Sequence, residues 1–441
     1  MKSDAKKRSP EASNLDGVAQ ALVMVAVSIP VLFNPWGANA FELPKALAIR
    51  TVAILLGVVT LANAAEKGHL GGKRLPLHVI ALILLTVVLI AATLFSINPR
   101  LSLWGSYNRQ QGLVTLTSYA ILFLSTAYVL GNRAHIDRLW TLLVMGSVPV
   151  VTYGLLQACS LDPLEWQTDA ASPVLSTLGR ANFLGSYLTL IIPLTFGRIL
   201  LGRHRLPLVL LLAGQGICLL LTQARGAWVG SGAGFIAGLL AWGYSKRDHR
   251  PFVAAVVTTV LVASFIVVLN LPGGPLAPLA SLPGLNRLAT LFQTRAGSTA
   301  ARIAIWRATF PLIAHHPWLG YGPETFRLVF ARVFPPQLVY YQGRGVIIDR
   351  AHNLWLDLAV NAGLPAVLAL LLLIFDLGKR IRRGLHNATA PWQTVAWTAL
   401  AASLTGHLVD LQFGFETVST ATVLALLMAM IVALSRTTSL E

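Results

Sequence analysis

The sequence predicts an all-α, polytopic membrane protein with about twelve transmembrane helices and a helical segment outside the membrane. Three observations lead there. Of the 441 residues only 12% are charged, about half the roughly 25% of a soluble domain. Hydrophobic residues make up 55% and the mean hydropathy is +0.67. Apolar runs long enough to cross a hydrocarbon core of about 30 Å recur along the chain, and basic residues gather between alternate runs. A water-soluble enzyme and a disordered scaffold are both excluded.

Residues 1–14 form a basic tail. Spans one to nine occupy 15–270, at 15–33, 43–63, 75–95, 113–130, 137–157, 181–200, 206–222, 226–243 and 252–270. Segment 271–351 is too polar and too rich in proline and glycine to span. Residues 352–434 carry the last three spans, at 353–375, 392–412 and 417–434, and 435–441 is a second tail. Placing the N-terminus in the cytoplasm puts 20 Lys and Arg in the tails and the loops on that side, against four in the short loops opposite. The positive-inside rule therefore places both termini in the cytoplasm and 271–351 outside. The formal charge of +17 is then largely topological, lying beside anionic inner-leaflet lipids. No nucleic acid is expected as a partner.

Charges within spans are costly unless paired or hydrated, so their positions carry information. Lys45 and Arg50 fall in the outer half of the second span. Arg109 and Arg180 flank the fourth and sixth, and Arg225 opens the eighth. His352 and Asp357 begin the tenth, while His407, Asp410 and Glu416 close the eleventh and lead into the twelfth. All lie toward the outer face. An alternating-access transporter would place such groups near the midplane. Cations gathered at one interface instead suit a lipid headgroup whose tail stays in the bilayer, and guanidinium forks match phosphate oxygens. His407 and Asp410, three residues apart, are expected to pair as a tie between helices.

Segment 271–351 opens with the irregular stretch LPGGPLAPLASLPG. From Thr299 to Ala314, Arg302, Trp306, Phe310 and Ile313 recur at helical spacing, so an amphipathic helix bearing Arg302 and Arg307 is expected. His315-His316-Pro317-Trp318 ends it, Gly320-Tyr321-Gly322 turns, and Pro323 suits the first position of another helix. Together these make a helical lid over the outer face. Adjacent histidines followed by proline are a poor chelate, and neither a metal nor another cofactor is expected. His352, at the interface beneath the lid, is held neutral by neighbouring cations and suits the role of proton acceptor.

His352-Asn353, nine residues and Gly363 resemble the H-[NSQ]-x9-G-x-x-G element of bacterial O-antigen ligases. O-antigen polymerases and protein O-oligosaccharyltransferases are relatives of these. SLWGSYNRQQG at 102–112, STLGRANFLGSYL at 176–188, TQARGAW at 222–228 and RIAIWRATFPLIAHHPWLGYGPETF at 302–326 fit in family order. Ala366 departs from the pattern where its last glycine would stand. The resemblance implies a GT-C-like glycosyltransferase of the bacterial inner membrane, acting on the periplasmic face without a metal. Its donor would be a glycan on polyprenyl (undecaprenyl) diphosphate and its acceptor a lipid A–core sugar hydroxyl. His352, Arg225 and Arg302 are the expected catalytic residues. Arg109, Arg180, Lys45, Arg50, Tyr321, Glu324 and Asn353 are the expected substrate-binding residues. The alternatives are a polymerase extending its own lipid-linked glycan, a protein O-oligosaccharyltransferase, and, from a different class, a lipid-linked oligosaccharide flippase.

Overall fold

The computed structural model describes residues 10–68, 75–166, 170–202, 205–271, 273–276, 278–279 and 297–437, and all regular structure among them is helical. Most of the Pro/Gly-rich stretch after Leu271 lies outside the described residues. Twelve long helices stand at the twelve positions expected from the sequence. They are α1 (Pro10–Val27), α2 (Glu42–Glu66), α3 (Leu77–Leu94), α5 (Leu113–Val129), α6 (Arg133–Ala158) and α7 (Ala181–Leu201). After them come α8 (Arg205–Leu221), α9 (Arg225–Lys246), α10 (Arg250–Leu269), α14 (Leu354–Asn387), α15 (Pro391–Asp410) and α16 (Val418–Thr437). The other α-helices among the described residues are α4 (Pro99–Trp104) and the lid helices α11 (Gly297–His315), α12 (Phe326–Phe330) and α13 (Gln337–Gln342).

By length and composition alone, seven of these helices are apolar enough to cross a membrane: α2, α3, α6, α7, α10, α14 and α16. The chain is a polytopic membrane protein. In α16, 83% of the most apolar window is buried and in α10 only 11%, so α16 runs through the middle of the bundle and α10 along its rim. The main core joins Leu122 and Phe123 of α5, Leu184 to Leu194 of α7, Trp397 and Leu400 of α15 and most of α16. The lid has a separate core, built on Ile305, Phe326, Phe330 and Leu338.

Helix α9 lies directly on α15, and the sequence shows why. Gly226, Gly230, Gly234 and Gly238 recur every fourth residue and so share one face. A methyl group at Gly230 would stand 2.6 Å from the Gly406 carbonyl oxygen, and one at Gly234 would stand 2.7 Å from that of Ala402. Small residues allow this backbone approach, which dispersion and interhelical contacts then stabilise. The packing fixes the starts of α9 and of the α15–α16 connection side by side.

One expectation needs correction in α14. Its helix is broken at Gly363 (φ 78°, ψ 175°), so His352 precedes a short helical piece and the membrane-length piece begins only at Leu364. Lid residues fill the break. Leu364 N–H donates to the Pro317 carbonyl at 2.7 Å, Tyr321 N–H to that of Val360 at 2.8 Å, and Gly322 N–H to that of Asn361 at 3.0 Å. The His-Asn-x9-Gly spacing is thus the distance from the lid-end histidine to the socket that seats the Trp318–Gly322 turn. Pro323 follows this turn without opening a helix, and α12 begins at Phe326. Ala366 is fully buried against Leu89 and Ala92 of α3, where a small side chain is what the contact admits.

A Cβ at Gly363 would stand 2.2 Å from the Trp318 carbonyl oxygen, in backbone geometry that only glycine adopts readily. Gly363→Ala is therefore expected to lower the thermal midpoint in detergent and to expose the 317–322 turn to protease. The strain alone costs about 1–3 kcal/mol. An unchanged midpoint together with an unchanged cleavage pattern would contradict this account of the break.

Candidate active site

Five segments converge at one end of the bundle. Arg180 caps the start of α7 and Arg225 is the first residue of α9. Asp410 is the last residue of α15, and Phe413-Gly414-Phe415 leads from it toward α16. Arg302 descends from lid helix α11, and His352 stands just before α14. These residues, with Ser186 and Asn182, line a cavity of about 70 Å³. Three guanidinium groups and one carboxylate face it, so its charge favours an anion.

His352 is held tightly. Its backbone is left-handed (φ 53°), a conformation unfavourable for a residue other than glycine. Asn353 maintains it by capping α14: its side-chain oxygen accepts from the N–H groups of Trp355 and Leu356, both at 3.1 Å, and its amide donates to the Gln412 carbonyl at 3.2 Å. Leu354 N–H donates to the Leu411 carbonyl at 2.9 Å. The imidazole packs against Phe415, ring centroids 5.4 Å apart. Above it, Trp306 of α11 donates from Nε1 to the Ala351 carbonyl at 3.0 Å.

The residues just before His352 are braced by charge. Arg350 pairs with Glu324, and its Nη1 lies 3.8 Å from Asp357 Oδ2. The Ala351 N–H donates to Asp357 Oδ1 at 2.8 Å, and the Ser106 N–H to Glu324 Oε2 at 3.1 Å. Arg109 donates from Nε to Asp349 Oδ2 at 2.7 Å. Its guanidinium covers Phe415 at 4.8 Å and Phe183 at 5.6 Å, a geometry in which ring faces stabilise cations.

Electrostatics follow from this crowding. Burial, then Arg302, Arg109 and Arg180, push the His352 imidazole down to about 4, against the opposing pull of Asp349. Burial pushes Arg302 below the usual guanidinium range, as does Arg225, with Asp410 opposing. Burial alone would raise the Asp349 carboxyl. The Arg109 hydrogen bond outweighs it, together with the charges of Arg109, Arg350 and His352, and holds the group below the usual range. At neutral pH the cavity thus sets a neutral imidazole among cations.

Of the residues expected from the sequence, the structure brings His352, Arg225, Arg302 and Arg180 to one cavity. Arg109 stands behind it on Asp349. Glu324 and Asn353 hold the His352 segment in place. Tyr321 packs against His316 within the lid, ring centroids 4.3 Å apart and the rings tilted by 49°. Lys45 is fully buried and donates to the Thr177 carbonyl at 2.6 Å. Arg50 bonds the Trp104 and Gln110 carbonyls and Thr115 Oγ1, which ties down the loop carrying Arg109. The His407–Asp410 tie is corrected. His407 Nε2 instead meets Glu416 Oε1 at 2.8 Å, and Asp410 lines the cavity. Asp410 and Arg350 are the functional-site residues that sequence reasoning passed over.

Residues 206–371 match the O-antigen ligase family model. This region belongs to the O-antigen ligase family. It contains Arg225, Arg302, His352 and the Gly363 break, so the O-antigen ligase region supplies three of the four groups brought to the cavity from the expected set, Arg180 alone lying outside it. The match supports a glycosyltransferase-like membrane function of the ligase or polymerase type. No curated protein matches it.

Proposed function

We propose that the chain transfers a glycan from polyprenyl (undecaprenyl) diphosphate to a lipid A–core sugar hydroxyl, as an O-antigen ligase of the bacterial inner membrane. One observation carries this reading: a neutral, rigidly held histidine shares a cavity with three arginines at one end of a bundle of membrane-length helices. The excess of basic residues at the opposite end supports cytoplasmic termini, a periplasmic cavity and all twelve long helices as spans. Arg225 and Arg302 bind the donor diphosphate, with Arg180 beside them. His352 takes the proton from the acceptor hydroxyl as its oxygen bonds the anomeric carbon. The bond from that carbon to the diphosphate oxygen breaks, and the leaving oxygen keeps the electron pair. Attack opposite the leaving group inverts configuration. The arginines stabilise charge where it grows, which is the preorganised part of the catalysis. The activated donor supplies the driving force, so no ATP is consumed.

The direct test uses purified protein, a radiolabelled glycan on polyprenyl diphosphate, and a chelator, with and without lipid A–core. Label on lipid A–core is the expected result. A ladder of longer carrier-linked chains that needs no lipid A–core would replace the ligase by a polymerase with the same residues in the same roles. No transfer in either arm by folded protein would overturn both.

A further inference from the structure

A second cavity, of about 140 Å³, shares Phe415 as a lining residue with the arginine cavity. Its chemistry is the reverse of the first. Glu324, Asp357 and Glu416 supply carboxylates, Arg350 is the one cation lining it among the described residues, and Gln111 and Asn361 supply amides. Leu89, Leu116 and Leu358, on α3, α5 and α14, give it an apolar side that faces into the bundle of membrane-length helices. A diphosphate is repelled from such a lining. Neutral hydroxyl groups suit it, because carboxylates and amides accept and donate hydrogen bonds without needing opposite charge.

Two buried polar atoms in this lining have no hydrogen-bond partner: Asn361 Oδ1 and Arg350 Nε. Both residues are only 7% exposed, and a buried polar atom left unpaired costs about 1–3 kcal/mol. Each is closed off from solvent as it stands, and a small rotation of its side chain would present it to a bound hydroxyl. Glu324 and Asp357 are already engaged by Arg350, and Glu416 by His407 and Thr420. Their charges are therefore fixed in position, as a recognition site requires.

The placement also fits the reaction. Inverting displacement needs the nucleophile and the leaving group on opposite faces of the anomeric carbon. The arginine cavity and this cavity meet at Phe415, on which the His352 ring packs, and Arg350 and Leu354, next to His352 in the chain, line the second cavity.

We infer that this second cavity is the acceptor subsite, which receives the sugar hydroxyls of a lipid-anchored saccharide. The inference rests on the glycosyl-transfer reading above, yet its test does not require turnover. Full-length protein in nanodiscs is titrated with lipid A–core in one arm and with a polyprenyl-diphosphate-linked glycan in the other. The variants are Leu358→Trp, which fills the cavity, and Asn361→Ala, which removes an unpaired acceptor. Binding of unmodified undecaprenyl diphosphate, read by thermal shift, reports on the arginine cavity and on folding.

The expected result is a loss of at least tenfold in affinity for lipid A–core in Leu358→Trp, with the undecaprenyl diphosphate shift unchanged. Asn361→Ala is expected to weaken lipid A–core binding several-fold and to leave the undecaprenyl diphosphate shift in place. If the glycan arm alone shows the loss, the occupant is the growing lipid-linked chain and the subsite stands. Wild-type acceptor affinity in both variants, with normal diphosphate binding, overturns the subsite and leaves the arginine cavity untouched. Failure of transfer by wild-type protein, in contrast, overturns the reaction and not the binding site.

Discussion

Replacing His352 with alanine is expected to lower transfer by about 10²–10⁴, the range typical of a positioned general base, while leaving undecaprenyl diphosphate binding nearly intact. The expected pH dependence is more discriminating than the loss itself. The working form of His352 is neutral, and its pKa is pushed down to about 4 by burial and by Arg302, with Arg109 and Arg180 adding to the effect. Protonation removes activity as the pH falls through that value. At pH 5 such a group is about 90% neutral, whereas an ordinary imidazole of pKa near 6.5 would be about 3% neutral. The acid limb of kcat/KM, which reports the free enzyme, should therefore lie well below pH 6. Bound diphosphate adds negative charge beside the arginines and favours the imidazolium, so the acid limb of kcat should sit higher than that of kcat/KM. Coincident limbs near pH 6.5 would mean that His352 is not the titrating base in this environment. The low pKa weakens the imidazole as a base. In exchange it remains unprotonated beside Arg302, Arg109 and Arg180, which a histidine with an ordinary pKa would do only in part.

Much of the architecture was legible because hydropathy and charge act locally. A run of apolar residues must be satisfied by its own backbone hydrogen bonds in lipid, so its helical state does not depend on distant neighbours. The lid helix was legible from the helical spacing of Arg302, Trp306 and Phe310, which is also a local signal. What escaped was the pairing of groups far apart in sequence. Arg350 meets Glu324 across the lid, and Asp410 reaches the cavity because α9 and α15 touch along their glycines. The fourfold glycine spacing from Gly226 to Gly238 was visible and would have indicated that contact. Asn353 was readable as a helix cap, since it stands immediately before an apolar helical run. Lys45 and Arg50 show the limit of reading intramembrane charge as function. Their cost is offset by backbone carbonyls and hydroxyls of neighbouring segments, and these acceptors carry no mark in the sequence. The break at Gly363 was present as a motif residue, but its reason became visible only with the Trp318 carbonyl lying where a side chain would be.

Arg302→Gln is expected to lower kcat by about 10²–10³, as removal of one oxyanion-stabilising donor does, and to change His352 at the same time. Glutamine keeps much of the bulk and hydrogen-bonding capacity of arginine without its charge. Arg302 is the strongest of the cations that depress the His352 imidazole, so its loss should move the acid limb of the residual activity upward, toward neutrality. Lysine at this position should restore the acid limb more fully than it restores kcat. A point charge repels the imidazolium much as a guanidinium does, but it lacks the planar fork that grips two phosphate oxygens. The comparison separates the two contributions of one side chain: its charge, felt by His352, and its geometry, felt by the leaving diphosphate. Asp410 provides the internal control, because its carboxylate opposes the depression of the Arg302 pKa and lines the same cavity. Removing that carboxylate with Asp410→Asn should strengthen the positive field, tighten diphosphate binding and slow its release. If Arg302→Gln lowers kcat with no movement of the acid limb, Arg302 acts on the diphosphate alone, and the neutrality of His352 is set by burial together with Arg109 and Arg180.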